Sequence, residues 1–375
     1  MMKRMIFLIM SAVLMLCTLG GCAGAEQQPQ GTGETRTVTD HDGISVTLPK
    51  EISRIAVCDV LPLPSVLSVF FGSAEKIVAM SPTSMSAAKN GLLSELYPEI
   101  CNANTTAVSG TDVNVEELMK LDPQVVFYNA ATVQLGEKLR SAGFHAVGVA
   151  VNRWGYNPVE TLNQWISLLS EIFPESAGNR AELVKEYSAK AMTEIHERTA
   201  QLSDAERKKV FFIYQCSTDS ILTSGREFFG QFWADAAEAV NVGAELDGKN
   251  AVKVTLEQVY AWNPDVMLIT NFTPTQPADL YGNAVSGYDW SGLQAVQKQQ
   301  VYKMPLGMYR SFTPGADTPM TLYWLAKTIY PDLFSDVDIT AKTIEYYQTV
   351  FGVQLTQQQA ESIFAPTADA GKTDF

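Results

Sequence analysis

The sequence predicts an α/β protein of two lobes, each on a mostly parallel central sheet, joined by a single long helix with a cleft between them. Three observations carry that expectation. One pattern occurs twice: Val113-Asn-Val-Glu116-Glu-Leu-Met-Lys-Leu-Asp-Pro123-Gln-Val125, and, 141 positions later, Val254-Thr-Leu-Glu257-Gln-Val-Tyr-Ala-Trp-Asn-Pro264-Asp-Val266. Apolar runs alternate with helical stretches on both sides of the midpoint, as in sheets with helical crossovers. Between the two sets lies a stretch, 175–201, without proline and with its only glycine, Gly178, in the first turn.

Each copy of the pattern reads as a capped short helix, a stop and a buried strand. Thr255 with Gln258 is a capping box, and Asn114 with Glu117 is its counterpart with an Asn cap. Asp122-Pro123 and Asn263-Pro264 end the helices, because the residue before proline disfavours helical backbone. The strands Val125–Tyr128 and Val266–Ile269 follow as apolar runs.

The first lobe is expected over 37–157. It opens with a β-hairpin, Thr37 to Pro49, turning at Asp40-His-Asp-Gly43. Its strands are Arg54–Cys58, Lys76–Met80, Val125–Tyr128 and Ala146–Val151. Linker helices occupy 158–204: Pro158 to Ile172, then Glu175 to about Gln201. The spacing of Val184, Tyr187, Ala191, Ile195, Arg198 and Leu202 is helical, and ~27 residues would reach about 40 Å. The second lobe, 205–338, has strands Arg207–Tyr214, Val266–Thr270 and Val301–Met304 and an amphipathic helix Thr321–Ile329 before Pro331. The tail, 339–375, is partly helical to Phe364 and reads as disordered from Ala365.

The N-terminus is of another kind. Lys3-Arg4 precedes an apolar run, Met5–Leu16, of signal-peptide length and too short to span a bilayer. Leu19-Gly20-Gly21-Cys22 has the form of a bacterial lipobox, so 1–21 is expected to be removed, Cys22 lipidated and 22–36 a flexible tether. The expected location is extracytoplasmic, anchored to the cell membrane by lipid. Loss of Lys3 and Arg4 would take the net charge from −14 to about −16, which argues against nucleic-acid partners. Cys58, Cys101 and Cys216 then remain, an odd number that implies no complete disulfide framework. His41, His145 and His196 have no metal-ligand spacing. No phosphate-cradling glycine loop or nucleophile elbow is present. Neither a catalytic residue, a metal ligand nor a cofactor is therefore expected, and the chain is expected to be monomeric.

Open α/β sheets bind ligands at the C-terminal ends of their strands. The loops there are rich in aromatics and arginine: Arg153, Trp154 and Tyr156 between the lobes; Tyr214, Arg226 and Phe228 early in the second; Phe272 after the repeated strand; Tyr309 and Arg310 after Met304. Asp59–Ser65 and Ser81–Asn90 are the first-lobe candidates. Three arginines, Arg153, Arg226 and Arg310, would hold an anion with permanently charged donors, and the aromatic faces would pack on a planar or catechol-like body.

Taken together, the two E-x-[LV]-x4-P-x-V units, the Asp40–Gly43 hairpin, the segment Trp290 to Tyr302 and the segment Trp324 to Phe334 resemble the solute-binding proteins of bacterial ABC importers. The class has two Rossmann-like lobes and a rigid helical linker, and the resemblance covers nearly the whole mature chain. Ala239-Val240-Asn241 departs from its usual Gly-Gly-Asn. The resemblance implies capture of a chelated metal (a ferric siderophore, haem or cobalamin) and delivery to an ABC permease and its ATPase. It implies that Glu116 and Glu257 dock into arginine pockets on that permease, and that closure on the ligand is small. Within the class a molybdate or tungstate binder is the alternative; the loop aromatics favour the bulkier ligand. A chelatase-like enzyme on the same lobes is the more remote alternative, opposed by the lipobox and the lack of an acid–base constellation.

Overall fold

Two short-stranded sheets dominate the computed structural model, which describes residues 34–109 and 111–372. The first has the strand order Ile77–Ala79, Ile55–Val57, Val125–Asn129, Ala146–Val149, and every pairing in it is parallel. These strands are apolar on both faces, as a helix-covered parallel sheet requires. The hairpin Thr35–Thr39 and Ser45–Pro49 packs beside them. Its Asp40 carboxylate accepts the N–H groups of Asp42 and Ile44 within the turn and, from the strand Ala146–Val149, that of Gly148 at 2.8 Å. One buried acid thus closes the turn and ties the hairpin to the sheet.

The second sheet runs Ala251–Val254, Ser220–Ser224, Lys209–Ser217, Val266–Ile269, Val301–Lys303. From Lys209–Ser217 through Val266–Ile269 to Val301–Lys303 the pairing is parallel; on the other side it is antiparallel with Ser220–Ser224 and Ala251–Val254, while the two-residue strand Val240–Asn241 pairs in parallel with Lys209 and Val210. The antiparallel strands Ser220–Ser224 and Ala251–Val254 escape the sequence reading. The first follows a two-residue turn, Thr218-Asp219, which lacks the glycine that usually announces a hairpin.

The repeated unit folds alike in both halves. The helices Val115–Lys120 and Leu256–Trp262 are capped by Asn114 and Thr255, the latter in a complete capping box. Asp122 and Asn263 both take left-handed backbone, φ 45° and 44°, and turn the chain into the proline. One difference separates the copies. Glu117 does not close a capping box; its carboxylate pairs with Lys120 at 2.6 Å.

Between the sheets, Pro158–Ile172 is helical as expected. The single helix expected from Glu175 to about Gln201 is not continuous. A short turn, Pro174–Ala177, ends at Gly178, whose φ of 53° breaks the helical path. The long helix is Arg180–Thr199, 20 residues, or about 30 Å. It lies along the helix Thr318–Ile329, which starts three residues earlier than expected. Tyr323 donates to Glu194 at 2.8 Å, and Arg198 donates to Asp336 at 2.5 Å and to the Leu333 carbonyl at 2.9 Å. Beneath this helix one apolar core runs unbroken from Val57 and Phe127 through Trp165 and Val184 to Phe212 and Leu268.

The tail corrects a second expectation. After the helices Ile339–Tyr346 and Gln357–Ile363, the segment read as disordered forms a 3₁₀ turn, Ala368–Gly371, with Ala370 fully buried. Gly371 lies so close to the Thr273 carbonyl that a Cβ would stand 2.0 Å from it, so only glycine fits. The tail also contacts the first half, where Ser86 donates to the Lys372 carbonyl and Gln359 to Glu95. No helix among the described residues is long and apolar enough to cross a membrane. The lipobox, Cys22 and most of the tether lie outside the described residues.

Candidate functional site

A cavity of about 240 Å³ opens at the C-terminal ends of the strands of both sheets. From the first half come Asp59, Asn129 and Asn152; from the second come Tyr214, Phe228, Phe272 and Tyr309, with Tyr156 in between. Each is placed by a local feature. Asn129 is the last residue of the repeated strand. Tyr214 sits where the pairing of Lys209–Ser217 with Ser220–Ser224 slips by a residue, a bulge that re-aims a side chain. Tyr156 has left-handed backbone, φ 57°. Its hydroxyl donates to the Lys249 carbonyl, and its ring packs edge-on against Phe228 and Phe229.

The first-half wall mixes the apolar Leu61, Pro62 and Val151 with the polar Asp59, Asn129 and Asn152. Asp59 accepts the Asn129 N–H at 2.6 Å and the Thr132 hydroxyl at 2.7 Å. Burial raises its pKa, against the opposing effect of those two bonds. The second-half wall is aromatic. Tyr214 stacks on Phe272 with ring centroids 5.0 Å apart and touches Phe228 and Phe312. Burial raises the Tyr214 pKa, partly offset by the nearby Arg310 charge.

Arg310 is the exceptional residue. It is fully buried, its guanidinium lies 4.8 Å from the Phe272 ring centre, and among the described residues none of its three side-chain nitrogens has a hydrogen-bond partner. The Tyr309 hydroxyl, Ser311 Oγ and Asn271 Oδ1 beside it in sequence or in the facing loop are likewise buried and unpartnered. Six of the eleven unpartnered buried side-chain atoms among the described residues thus fall on 271 and 309–311. A buried charge without a partner is among the costliest features a fold can carry. Polar atoms left over in one place point to a ligand that completes them.

The loops around Arg310 are held firmly. The Asp317 carboxylate accepts the Met308 N–H at 2.9 Å and the Tyr347 hydroxyl at 2.5 Å. Gly307 passes so close to Asp317 that a Cβ there would meet its carboxylate at 2.0 Å. Burial lifts Asp317 to about 6, against the bonds from Tyr347 and the backbone. On the facing loop, Asn271 donates to the Met304 and Pro305 carbonyls, and Lys303 donates to the carbonyls of Thr273 and Thr275 at 2.6 and 2.7 Å. Burial first, and then the Arg310 charge, pull Lys303 down to about 7.

Of the sequence-derived candidates, Tyr156, Tyr214, Phe228, Phe272 and Tyr309 meet at the cavity, with Arg310 packed on the Phe272 ring. Three do not. Arg153 is exposed and donates to the His41 carbonyl. Trp154 packs edge-on against the His41 ring, 5.1 Å away. Arg226 is exposed and donates to the Ala244 carbonyl at 3.0 Å. The three-arginine cluster is therefore a single arginine. His41 itself is pulled down to about 4, chiefly by burial. Asn129, Asn250 and Thr313 line the cavity without having been singled out, and Asp317 acts from behind it. Only Asn129 carried a signal, as the polar residue closing the repeated strand.

Glu116 and Glu257 are both exposed in the first turns of their helices. The Glu117–Lys120 pair leaves Glu116 as the uncommitted acid of the first copy. Glu257 has a lowered pKa, from its own backbone N–H and the Thr255 hydroxyl. Cys58, Cys101 and Cys216 are free thiols. Cys58 and Cys216 are buried, and burial raises the Cys216 pKa to about 11.

Comparison with known proteins agrees with this geometry. The family described as periplasmic binding protein matches residues 65–306. The molybdate-binding protein MolA of Haemophilus influenzae is 28% identical over 339 residues, 84% of this chain and 91% of that one. A periplasmic solute-binding protein from Veillonella parvula superposes with a TM-score of 0.77 at 28% identity, covering 88% of this chain and 97% of that one. The molybdate-bound structure of H. influenzae MolA gives 0.70 at 24% identity, covering 86% and 99%. The chain therefore belongs to the periplasmic binding protein family and is the solute-binding component of an ABC importer, not an enzyme.

Proposed function

We propose that the chain captures a small oxyanion of the molybdate and tungstate type and delivers it to an ABC permease. One observation carries this reading: among the described residues the buried Arg310 guanidinium has no acceptor on any of its nitrogens. An oxyanion would supply acceptors in the fork geometry that arginine favours, with the Tyr309 hydroxyl as a further donor. The cavity volume of about 240 Å³ supports a compact ligand, since sites for drug-sized ligands span roughly 300–1,000 Å³. The likeness to a molybdate-binding protein points the same way.

A second reading, a ferric siderophore, haem or cobalamin, is favoured by the aromatic wall of Tyr156, Tyr214, Phe228 and Phe272. It requires the cavity to widen. In either case Glu116 and Glu257, one on each repeat, serve as docking acids for the permease. Cys22 carries the lipid anchor, with 37–157 and 205–338 as the lobes. The apolar core running under both sheets supports a small closure on binding rather than a wide hinge.

A thermal-shift panel on the chain from Glu34 onward, which keeps the whole strand Thr35–Thr39, tests the reading. Molybdate, tungstate, sulfate and phosphate are compared with a ferric catecholate, a ferric hydroxamate, haem and cobalamin. A ligand at a hundred times its Kd adds about 2.7 kcal/mol. A shift with molybdate or tungstate is the expected result; a shift with a chelate alone would overturn the oxyanion in favour of the second reading.

A further inference from the structure

We infer that Phe272 is an aromatic gate: its ring occupies the face of Arg310 that the anion takes, and it must swing aside to admit one. The inference rests on the proposal that Arg310 binds an oxyanion, and goes on to say what controls access to it.

Three observations combine. Phe272 is part of the cavity wall, Arg310 is not, and the guanidinium lies over the Phe272 ring at 4.8 Å. The only attraction the ring offers Arg310 is that of its electron-rich face, weaker than a charge-assisted hydrogen bond to an anion. An anion can therefore displace it, whereas a neutral or cationic solute offers no such compensation. The ring also carries the freedom that its backbone lacks. Thr270 Oγ1 accepts the Phe272 N–H at 3.1 Å and donates to the Tyr214 carbonyl at 2.6 Å. Asn271 is tied to Met304 and Pro305 on one side of Phe272, and Thr273 and Thr275 to Lys303 on the other. Clamped on both flanks, the loop leaves side-chain rotation as the available motion. The ring is only half-buried and borders the cavity, so it has somewhere to turn. Tyr214, stacked on it, would be released by the same rotation.

The gate makes Phe272 a selectivity element rather than a ligand. Replacing it should strengthen anion binding, the opposite of what deleting a contact residue does. Wild type, Phe272→Ala, Phe272→Leu and Arg310→Gln are compared by calorimetry and by stopped-flow intrinsic fluorescence, with molybdate, tungstate, sulfate and phosphate as probes. In the wild type the observed binding rate should level off with anion concentration, set by ring opening. Phe272→Ala should abolish that plateau and tighten binding by about tenfold, the scale of a desolvated cation–π contact. Phe272→Leu keeps the bulk without the aromatic face and should also tighten binding, which preserves the test if the alanine variant misfolds. Unchanged or weakened affinity in both Phe272 variants, with Arg310→Gln still abolishing binding, overturns the gate alone. Retained binding in Arg310→Gln overturns the oxyanion reading beneath it. Failure of all four anions to bind wild type and Phe272 variants overturns both.

Discussion

The two halves of this protein share a helix–strand unit, yet the second half supplies most of the aromatic lining of the cavity and the first half the carboxylate of Asp59. After Val125–Asn129 the chain offers Asn129, a polar end beside the Asp59 carboxylate. After Val266–Ile269 it offers Thr270-Asn271-Phe272, an aromatic ring packed on a buried cation. The repeat sets where the loops emerge, and the loops set which groups line the cavity. The cavity lining thus sits on a repeated scaffold without being repeated itself. The outward-facing end of the repeat behaves in the reverse way: Glu116 and Glu257 keep the same residue type at the same place.

The sharpest test of this asymmetry is to neutralise its cation. Arg310→Met should weaken oxyanion binding on the order of a hundredfold or more. It should also raise the stability of the ligand-free protein by about 1–4 kcal/mol, because an unpaired buried charge is replaced by an apolar chain. Calorimetric titration and chemical denaturation read the two effects. Lost binding with lower stability would show that Arg310 holds the fold.

Asp317 comes next. Its pKa is raised in the folded state from 3.8 to about 6, so between about pH 4 and 6 the folded chain binds more protons than the unfolded one. Stability is therefore expected to fall as pH rises through that window, by about 3 kcal/mol in total at 1.36 kcal/mol per pH unit. Denaturation curves from pH 4 to 7 should show this slope, and Asp317→Asn should flatten it. An unaltered slope in the variant would mean that other groups carry it.

The outward-facing symmetry can be broken one copy at a time. Glu116→Gln and Glu257→Gln should each slow uptake by about tenfold through weaker, salt-sensitive docking on the permease, leaving solute affinity unchanged. Glu117→Gln should do little, since its carboxylate is engaged by Lys120. Uptake assays in reconstituted vesicles separate the three, and equal effects of Glu116→Gln and Glu117→Gln would refute the assignment. The smallest effects belong to Arg153→Ala and Arg226→Ala. Both side chains are exposed and bonded to carbonyls away from the cavity, so ligand affinity should stay unchanged and stability within about 0.5 kcal/mol.

Much of the scaffold was legible because its signals are local. Capping by Asn114 and Thr255, the stops before Pro123 and Pro264 and the strands after them depend on neighbours a few residues away. The helix Pro158–Ile172 is bounded by its own Asn157 cap and by Pro174. The break at Gly178 was harder to read, since a single glycine in a first turn is compatible with helix until its backbone is seen. The sequence alone suggests disorder from Ala365 onward. The segment orders because Ala370 and Gly371 find a seat against the Thr273 loop, roughly a hundred positions back.

The sequence by itself determined the two α/β halves, the repeated unit with its paired acids and the aromatic character of the binding loops, since each of these is written in short-range pattern. Tertiary structure alone decided which arginine is buried against the cavity wall. Arg153, Arg226 and Arg310 are equivalent as loop arginines. Two of them reach carbonyls at the surface. The third is driven under an aromatic ring without a hydrogen-bond partner among the described residues, because Asp317 and the Lys303-clamped loop close around it. Burial and the absence of a counter-charge are properties of everything packed around a residue, and no local pattern encodes them.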